Sequence, residues 1–297
     1  NDRTQRSSPV QIPGTTWSDA IGWQGSSARA VKTDGTMWVW GEDIDGSLGL
    51  NQRNVKISSP TQIPGTTWST GAGKNTMCKQ GNNLAIKTDG TLWTWGQNYQ
   101  GVLGLNAPIN SDKSSPTQIG TDATWSTVHT DGESCAAVKT DGTAWAWGYN
   151  EYGQLGQNQG EGQLPRVSAP IQIPGTTWVN INGGADKKYG FKTDGTLWAW
   201  GNNGYLLSPQ SPDHKSSPTQ IPGTTWKVFA YSYIQDNGNL FTKTDGTLWA
   251  WGYNQNHGQL GQNNRTDQDS PVQVTGTTWN NVKVTGHSVL AQQLLEE

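Results

Sequence analysis

A decapeptide recurs five times along the chain. Its fourth copy reads Lys192-Thr193-Asp194-Gly195-Thr196-Leu197-Trp198-Ala199-Trp200-Gly201, and the other copies start at Lys32, Lys87, Lys139 and Lys243. An Asp-Gly pair between two β-prone runs is a strong short-range hairpin signal, and it predicts a two-residue turn with positive φ at both central residues. After the turn, Trp-x-Trp places two indoles on one face of a strand, because side chains alternate with period two. The chain is thereby restricted to short antiparallel strands, made repeatedly.

A second element, Gly-Thr-Thr-Trp, ends at Trp17, Trp68, Trp178, Trp226 and Trp279, with Ala123-Thr124-Trp125 as a degenerate copy, so successive spacings are 51, 57, 53, 48 and 53 residues. Each period reads as four strands: one running on from Gly-Thr-Thr-Trp, one ending at Lys-Thr-Asp-Gly, one holding Trp-x-Trp-Gly and one at Ser-Pro-x-Gln-Ile. Short strands without helical periodicity predict an all-β radial array whose blades bury their faces on one another.

The 297 residues leave room for two domains. A repeat array favours one, because each unit is an incomplete piece of a larger body. The predicted organisation is therefore a single β-propeller domain over 1–297, with repeats near 7–58, 59–114, 115–168, 169–216 and 217–269 and a partial repeat over 270–297 that residues 1–12 complete. A mean hydropathy of −0.71 points towards disorder when taken alone. The 17 tryptophans reverse that reading, since each buries on the order of 150–250 Å² and sixteen keep a strict schedule.

Net charge is −3, with both signs scattered. No basic stripe is present to neutralise nucleic-acid phosphates or hold an anionic membrane, and no apolar run approaches the ~20 residues that span a bilayer. Asn1-Asp2-Arg3-Thr4-Gln5-Arg6-Ser7-Ser8-Pro9-Val10-Gln11 parallels Asn264-Arg265-Thr266-Asp267-Gln268-Asp269-Ser270-Pro271-Val272-Gln273, so the chain is read as starting inside a repeat, as a processed product or part of something longer.

Trp147-Gly148-Tyr149-Asn150-Glu151-Tyr152-Gly153-Gln154-Leu155-Gly156, and Trp251-Gly252-Tyr253-Asn254 through Gly258-Gln259-Leu260-Gly261, resemble the signature of the regulator of chromosome condensation repeat family. Gly46-Ser47-Leu48-Gly49 and Gly101-Val102-Leu103-Gly104 are variants of it, and Gly204-Tyr205-Leu206-Leu207 has lost it. The resemblance implies a β-propeller of four-stranded blades, commonly seven. Counting units predicts six blades, the ring closed by N-terminal Ser8-Pro9-Val10-Gln11-Ile12 and the C-terminal strands, or seven if the chain is a fragment.

What the repeats keep constant reads as scaffold, and what they vary reads as function. In a four-stranded meander the first-to-second and third-to-fourth connections share one end, where the varied residues fall. From each Gly-Thr-Thr-Trp tryptophan to the next repeat lysine the distances are 15, 19, 14, 14 and 17 residues, so insertions follow Trp68 and Trp226. The candidate binding residues are Trp23 and Arg29, then Lys74, Asn75 and Lys79, then His129, Asp131 and Glu133, then Asp186, Lys187 and Lys188, then Tyr231, Tyr233, Gln235 and Asp236, and finally His287. Loops held by a rigid scaffold are where binding residues gather; loops that drift because nothing constrains them read the same way. Trp23, alone off the tryptophan schedule, suits stacking on a sugar ring or anchoring a protein, while the high burial usual for Trp favours a plug in a channel or gap.

Catalytic readings find little support. Asp34, Asp89, Asp141, Asp194 and Asp245 each precede Gly in a tight turn, a structural place for Asp. His129, His214, His257 and His287 fall in four repeats without metal-binding spacing, and Glu42-Asp43-Ile44-Asp45-Gly46 lacks the remaining ligands of a calcium loop. No phosphate loop or nucleophile elbow is present, so no cofactor is expected. Cys78 and Cys135 each follow a scaffold tryptophan by ten residues; a bridge needs Cα atoms within about 7 Å, and two thiols are the default. The leading expectation is a non-enzymatic propeller binding a protein or glycan, in an extracellular, cell-surface or virion-associated setting. The resemblance implies an alternative, guanine-nucleotide exchange on a small GTPase, although the inserted wedge and basic tail of the founding member have no counterpart here. A structural assembly subunit is the third reading.

Overall fold

The structure, a computed structural model, describes residues 7–24, 27–71, 74–77, 81–159, 163–184, 186–204, 214–227, 232–234, 238–285 and 288–293. It is all-β with one short 3₁₀ turn, Tyr99–Gly101. Five four-stranded antiparallel meanders follow one another. The first is β1 (Trp17–Gln24), β2 (Ser27–Lys32), β3 (Met37–Glu42) and β4 (Lys56–Gln62); the second is β5 (Asn75–Met77), β6 (Asn83–Ile86), β7 (Leu92–Gly96) and β8 (Lys113–Gln118). The third is β9 (Trp125–Thr130), β10 (Ser134–Lys139), β11 (Ala144–Tyr149) and β12 (Arg166–Ile173); the fourth is β13 (Trp178–Gly183), β14 (Lys187–Lys192), β15 (Leu197–Gly201) and β16 (Lys215–Ile221). The fifth is β17 (Ser232–Ile234), β18 (Gly238–Thr242), β19 (Leu248–Gly252) and β20 (Gln268–Val274), and a two-stranded sheet of β21 (Trp279–Thr285) and β22 (Ser288–Gln293) completes the series. Residues 8–12 form no strand, and Val10 is exposed.

The chain divides into two compact units. One holds Asn1–Asp141, Trp145–Tyr149 and Arg166–Ile171, the other Gly142–Ala144, Asn150–Pro165 and Gln172–Glu297. Within each unit the core lies between successive sheets. In the first unit, Val31, Met37 and Val39 pack with Trp68, Ala85 and Trp95, while Leu84, Ile86 and Leu92 pack with Val128, Cys135, Ala137 and Trp147. In the second unit, Tyr189, Phe191 and Leu197 meet Trp226, Phe241 and Trp251. Burying large indoles from the next sheet on small aliphatics explains how a hydrophilic composition still makes a core.

The hairpin forms where Asp-Gly predicts it, but the turn type differs. Gly35, Gly90, Gly195 and Gly246 each donate N–H to the repeat lysine carbonyl three residues back (2.9–3.1 Å). Their φ values are +76° to +81°, and no aspartate of the motif has positive φ. The connection is thus a type I turn followed by a left-handed glycine, which the aspartate stabilises from its side chain rather than its backbone. The insertions after Trp68 and Trp226 also fall differently from a lengthened hairpin. Trp68 and Trp226 pair with Lys87 and Lys243 only as isolated bridges before β5 and β17 resume, so the extra residues interrupt the first strand.

Candidate functional site

At the Asp-Gly end of each sheet the constant side chains engage one another. Asp34 Oδ1 accepts the Thr36 backbone N–H (2.9 Å) and its Oγ1–H (2.6 Å), and Thr36 Oγ1 in turn accepts the Trp38 indole N–H at 2.8 Å. The same relay joins Asp89, Thr91 and Trp93, Asp194, Thr196 and Trp198, and Asp245, Thr247 and Trp249. These threonine hydrogen bonds hold all four carboxyls below the usual carboxylate range, because they favour the ionised form.

Each repeat lysine stands between two indoles. Lys87 Nζ is 4.9 Å from the Trp68 ring and 3.9 Å from Trp93, and Lys192 Nζ is 4.6 Å from Trp178 and 4.3 Å from Trp198; both are cation–π distances. The turn also ties one repeat to the next. The backbone N–H groups of Trp68 and Trp125 donate to the carbonyls of Gly35 and Gly90, and those of Trp178, Trp226 and Trp279 to Gly142, Gly195 and Gly246 (2.8–3.0 Å). Asp34, Asp89, Asp194 and Asp245 are therefore each engaged in holding their turn.

At the opposite end, the long third-to-fourth connections contain the glycine-leucine signature. Asn98, Asn150 and Asn254 each accept the backbone N–H of Leu103, Leu155 or Leu260 on Oδ1 (2.9–3.1 Å). Their Nδ2 groups donate to carbonyls on the return arm, such as Pro108, Leu164 and Asn264. Asp43 fills the place in the first sheet, its Oδ1 accepting Leu48 N–H at 2.7 Å, so the calcium-like run Glu42–Gly46 is the same structural loop. Each connection then latches the following sheet: the indoles of Trp95, Trp147 and Trp200 donate to the carbonyls of Ser47 (3.1 Å), Val102 (2.8 Å) and Gln154 (2.9 Å). A Cβ on Gly104, at φ +68°, would come within 2.9 Å of Trp147 Nε1, so the glycine permits both the turn and the approach.

The varied residues separate into three groups. Arg29, Lys187 and Lys188 are almost wholly buried. Arg29 Nη1 donates to Asn83 Oδ1 (3.4 Å) and its guanidinium lies 5.3 Å from the Trp95 ring; Lys187 Nζ donates to Gly204 O (2.6 Å) and Lys188 Nζ to Gly184 O (2.8 Å). Burial, partly offset by Asp186, pushes Lys187 down to about 8. These three charges are taken up inside the sheets, which position in sequence alone does not reveal.

Lys74 also reaches inward, its Nζ donating to Ser126 O at 2.6 Å from just before β5. His129 on β9, and Asp131 and Glu133 in the β9–β10 hairpin, are half-buried. Asp131 accepts the backbone N–H groups of Glu133 and Ser134 (both 2.9 Å), a closed side-chain turn. Asp186 accepts Asn202 Nδ2 at 2.9 Å and lies in the fourth sheet's hairpin. Trp23 pairs with Ala28 on β1 and Tyr233 with Asn239 on β17, while Asn75 pairs with Ala85 on β5. Lys79, Tyr231, Gln235, Asp236, His287 and Cys78 lie outside the described residues. Cys135 is a buried thiol 3.3 Å from the Val102 carbonyl. Among the described residues no three His, Cys, Asp or Glu side chains cluster for a metal, and no helix is long and apolar enough to cross a membrane.

Comparison with known proteins agrees with this architecture. The family model for the regulator of chromosome condensation (RCC1) repeat matches residues 89–138, 141–186 and 245–288. The chain is similar to the human E3 ubiquitin-protein ligase HERC2, at 27% identity over 85% of this chain and 5% of that protein. It is also similar to the ultraviolet-B receptor UVR8 of Arabidopsis thaliana, at 29% identity over 68% of this chain and 46% of the receptor. The chain thus spans less than half the length of these curated relatives. Among solved structures, human WBSCR16 superposes with a TM-score of 0.70 at 21% identity, over 92% of this chain and 71% of the other. Yeast RCC1 (Prp20), solved bound to Kap60, superposes with 0.69 at 16% identity, over 93% and 68%. With its meander sheets, its latched Trp-x-Trp strands and three matched segments, the chain carries RCC1-type repeats and has the β-propeller fold of the solved structures it resembles.

Proposed function

We propose that the chain is a non-enzymatic binding propeller of six blades forming one domain, and that its first-to-second-strand segments hold a protein partner. One observation carries the reading. The side chains that the repeats share are used in sheet-to-sheet latches, whereas the first-to-second segments differ in length and charge from repeat to repeat, with Asp131 and Glu133 in one and Asp186 in another. The reported partners of similarly folded chains favour a protein: yeast RCC1 was solved with Kap60, and Prp20p was characterised for binding to Gsp1p and histones. Buried Arg29, Lys187 and Lys188 position these segments, and the contacting residues are drawn from His129, Asp131, Glu133 and Asp186 together with Trp23 and Tyr233.

A glycan on the same segments, in a surface or virion-associated setting, is a second reading, favoured by the off-schedule Trp23. Regulation of a small GTPase is the third and rests on the relatives alone. Affinity capture with quantitative mass spectrometry, run beside a glycan array, tests all but the last. The proteins compared are wild type and the triple variant Trp23→Ala, Tyr231→Ala, Tyr233→Ala. Loss of one specific captured protein in a variant whose far-ultraviolet spectrum is unchanged supports the first reading; undiminished capture sinks it. Accelerated release of a fluorescent guanine nucleotide from a small GTPase would establish the third.

A further inference from the structure

The third repeat departs from the others where Ile-Pro-Gly-Thr-Thr-Trp becomes Ile119-Gly120-Thr121-Asp122-Ala123-Thr124-Trp125. The proline is gone and one residue is added between Ile and Trp. In the repeats at Trp68, Trp178, Trp226 and Trp279 the threonine before the tryptophan has φ of +66° to +69°, an outlier for a β-branched residue. Thr124 does not share it, and neither does Thr16 of the first repeat, which keeps the Pro-Gly-Thr-Thr run. At Gly65, Gly175 and Gly223 a Cβ would sit 3.6–3.7 Å from the indole that follows and 3.3–3.5 Å from the repeat lysine Nζ; at Gly120, which takes the proline's place five residues before Trp125, it would meet nothing within 4 Å.

The space opened is a cavity of about 380 Å³ beside the start of the third sheet, lined among others by Leu105, Gln118, Asp122, Trp125, Lys139 and Trp145. That is within the lower range of small-molecule sites. Its chemistry is mixed. Trp125 is 4% exposed, and its buried indole N–H has no hydrogen-bond acceptor among the described residues, as is also true of Trp17, Trp68, Trp178, Trp226 and Trp279; what the third repeat adds is open space and a carboxylate beside it. Asp122 Oδ2 and Lys139 Nζ form an ion pair at 3.0 Å; the carboxylate side is 57% exposed and open to further donors. Lys139 is 4.8 Å and 4.3 Å from the Trp125 and Trp145 rings, so its charge is already engaged by Asp122 and by both indoles.

From these observations we infer that the third repeat holds a binding site for a neutral polyhydroxylated ligand, a single sugar ring. A sugar presents an apolar C–H face to indoles, and hydroxyls that both accept from an indole N–H and donate to a carboxylate. The Asp122–Lys139 pair carries no net charge, so the site offers no uncompensated charge to an anion or a cation. The site lies apart from the first-to-second segments and stands or falls independently of the partner they bind.

Nitrogen-15 spectra of the tryptophan indole N–H groups test this, with glucose, galactose, mannose and N-acetylglucosamine as probes and glucuronate and glucosamine as charged counterparts. Two variants are compared with wild type: Asp122→Ala, and a loop replacement in which residues 120–124 become Pro-Gly-Thr-Thr, as in the other repeats. The expected result is a saturable shift of the Trp125 signal with a neutral sugar, at least tenfold weaker binding in Asp122→Ala, and loss in the loop replacement while the remaining indole signals stay in place. The inference is overturned if no neutral sugar shifts the Trp125 signal, if the shift persists in the loop replacement, or if a charged counterpart binds more tightly than its neutral parent. Should the loop replacement fail to fold, Asp122→Ala with undiminished affinity overturns it alone.

Discussion

The indole N–H of Trp147 donates to the backbone carbonyl of Val102 at 2.8 Å, fastening the third sheet to the return connection of the second. Both groups are buried, so removing the indole leaves the carbonyl only the weaker Cys135 thiol donor at 3.3 Å, without water to replace it. Trp147→Phe is expected to cost about 2–4 kcal/mol from the lost hydrogen bond and the reduced ring volume. Trp198→Phe, whose half-buried indole bonds the Thr196 hydroxyl at 2.9 Å beside an exposed turn, should cost less than half as much. Urea unfolding of the two variants gives the comparison.

Gly104→Ala forces a Cβ to within 2.9 Å of Trp147 Nε1 at φ +68°. Strain and displacement together are expected to destabilise the protein by more than about 2 kcal/mol. Gly120→Ala has nearly the same φ but open space around its Cβ, and should show only the conformational cost of about 1–2 kcal/mol. Thermal unfolding of both variants separates the close approach from the turn.

Acid should weaken the Asp-Gly ends. Asp34, Asp89, Asp194 and Asp245 have folded-state values below 3.8, because threonine hydrogen bonds favour the carboxylate. Their contribution is complete above 3.8, where both folded and unfolded carboxyls are ionised, and is lost as pH falls through the lowered folded values. Asp194→Asn is expected to flatten stability against pH in that acid range and leave its shape unchanged near neutrality. Denaturant midpoints measured across the acid range report it.

Lys187 acts in the opposite direction. Its folded value is about 8 against 10.5 for the free side chain, with burial as the main cause. The unfolded chain therefore binds the extra proton between those values, and stability should rise as pH climbs from about 8 to 10.5. Lys187→Met is expected to remove that share of the rise, on the order of 3 kcal/mol. The difference between wild-type and variant unfolding curves across this range isolates it from other alkaline titrations.

Strand order, sheet size and the sheet-to-sheet core were legible because period-two tryptophans and Asp-Gly turns act locally, and local rules determine them. The turn type was not, since whether Asp34 adopts positive φ depends on the Thr36 hydroxyl that its carboxylate finds. Nor was the burial of Arg29, Lys187 and Lys188. A cation in a variable segment reads as solvent-facing until the neighbouring sheet supplies Asn83 or a backbone carbonyl to receive it. The relation between Asp122 and Trp125 left a visible trace, one residue too many and a missing proline, but the cavity it opens exists only once Leu105 and Trp145 are brought beside it.

The latches at Trp95, Trp147 and Trp200 all point the same way along the chain: the later sheet gives the proton and the earlier one supplies the oxygen. A whole period inserted into or excised from the gene leaves every such donor facing an equivalent acceptor, whereas a cut that splits a period orphans one of them. Change in the number of blades is therefore quantised by the register of this one bond, and the ancestry of the array can be read by asking which indole has kept its predecessor.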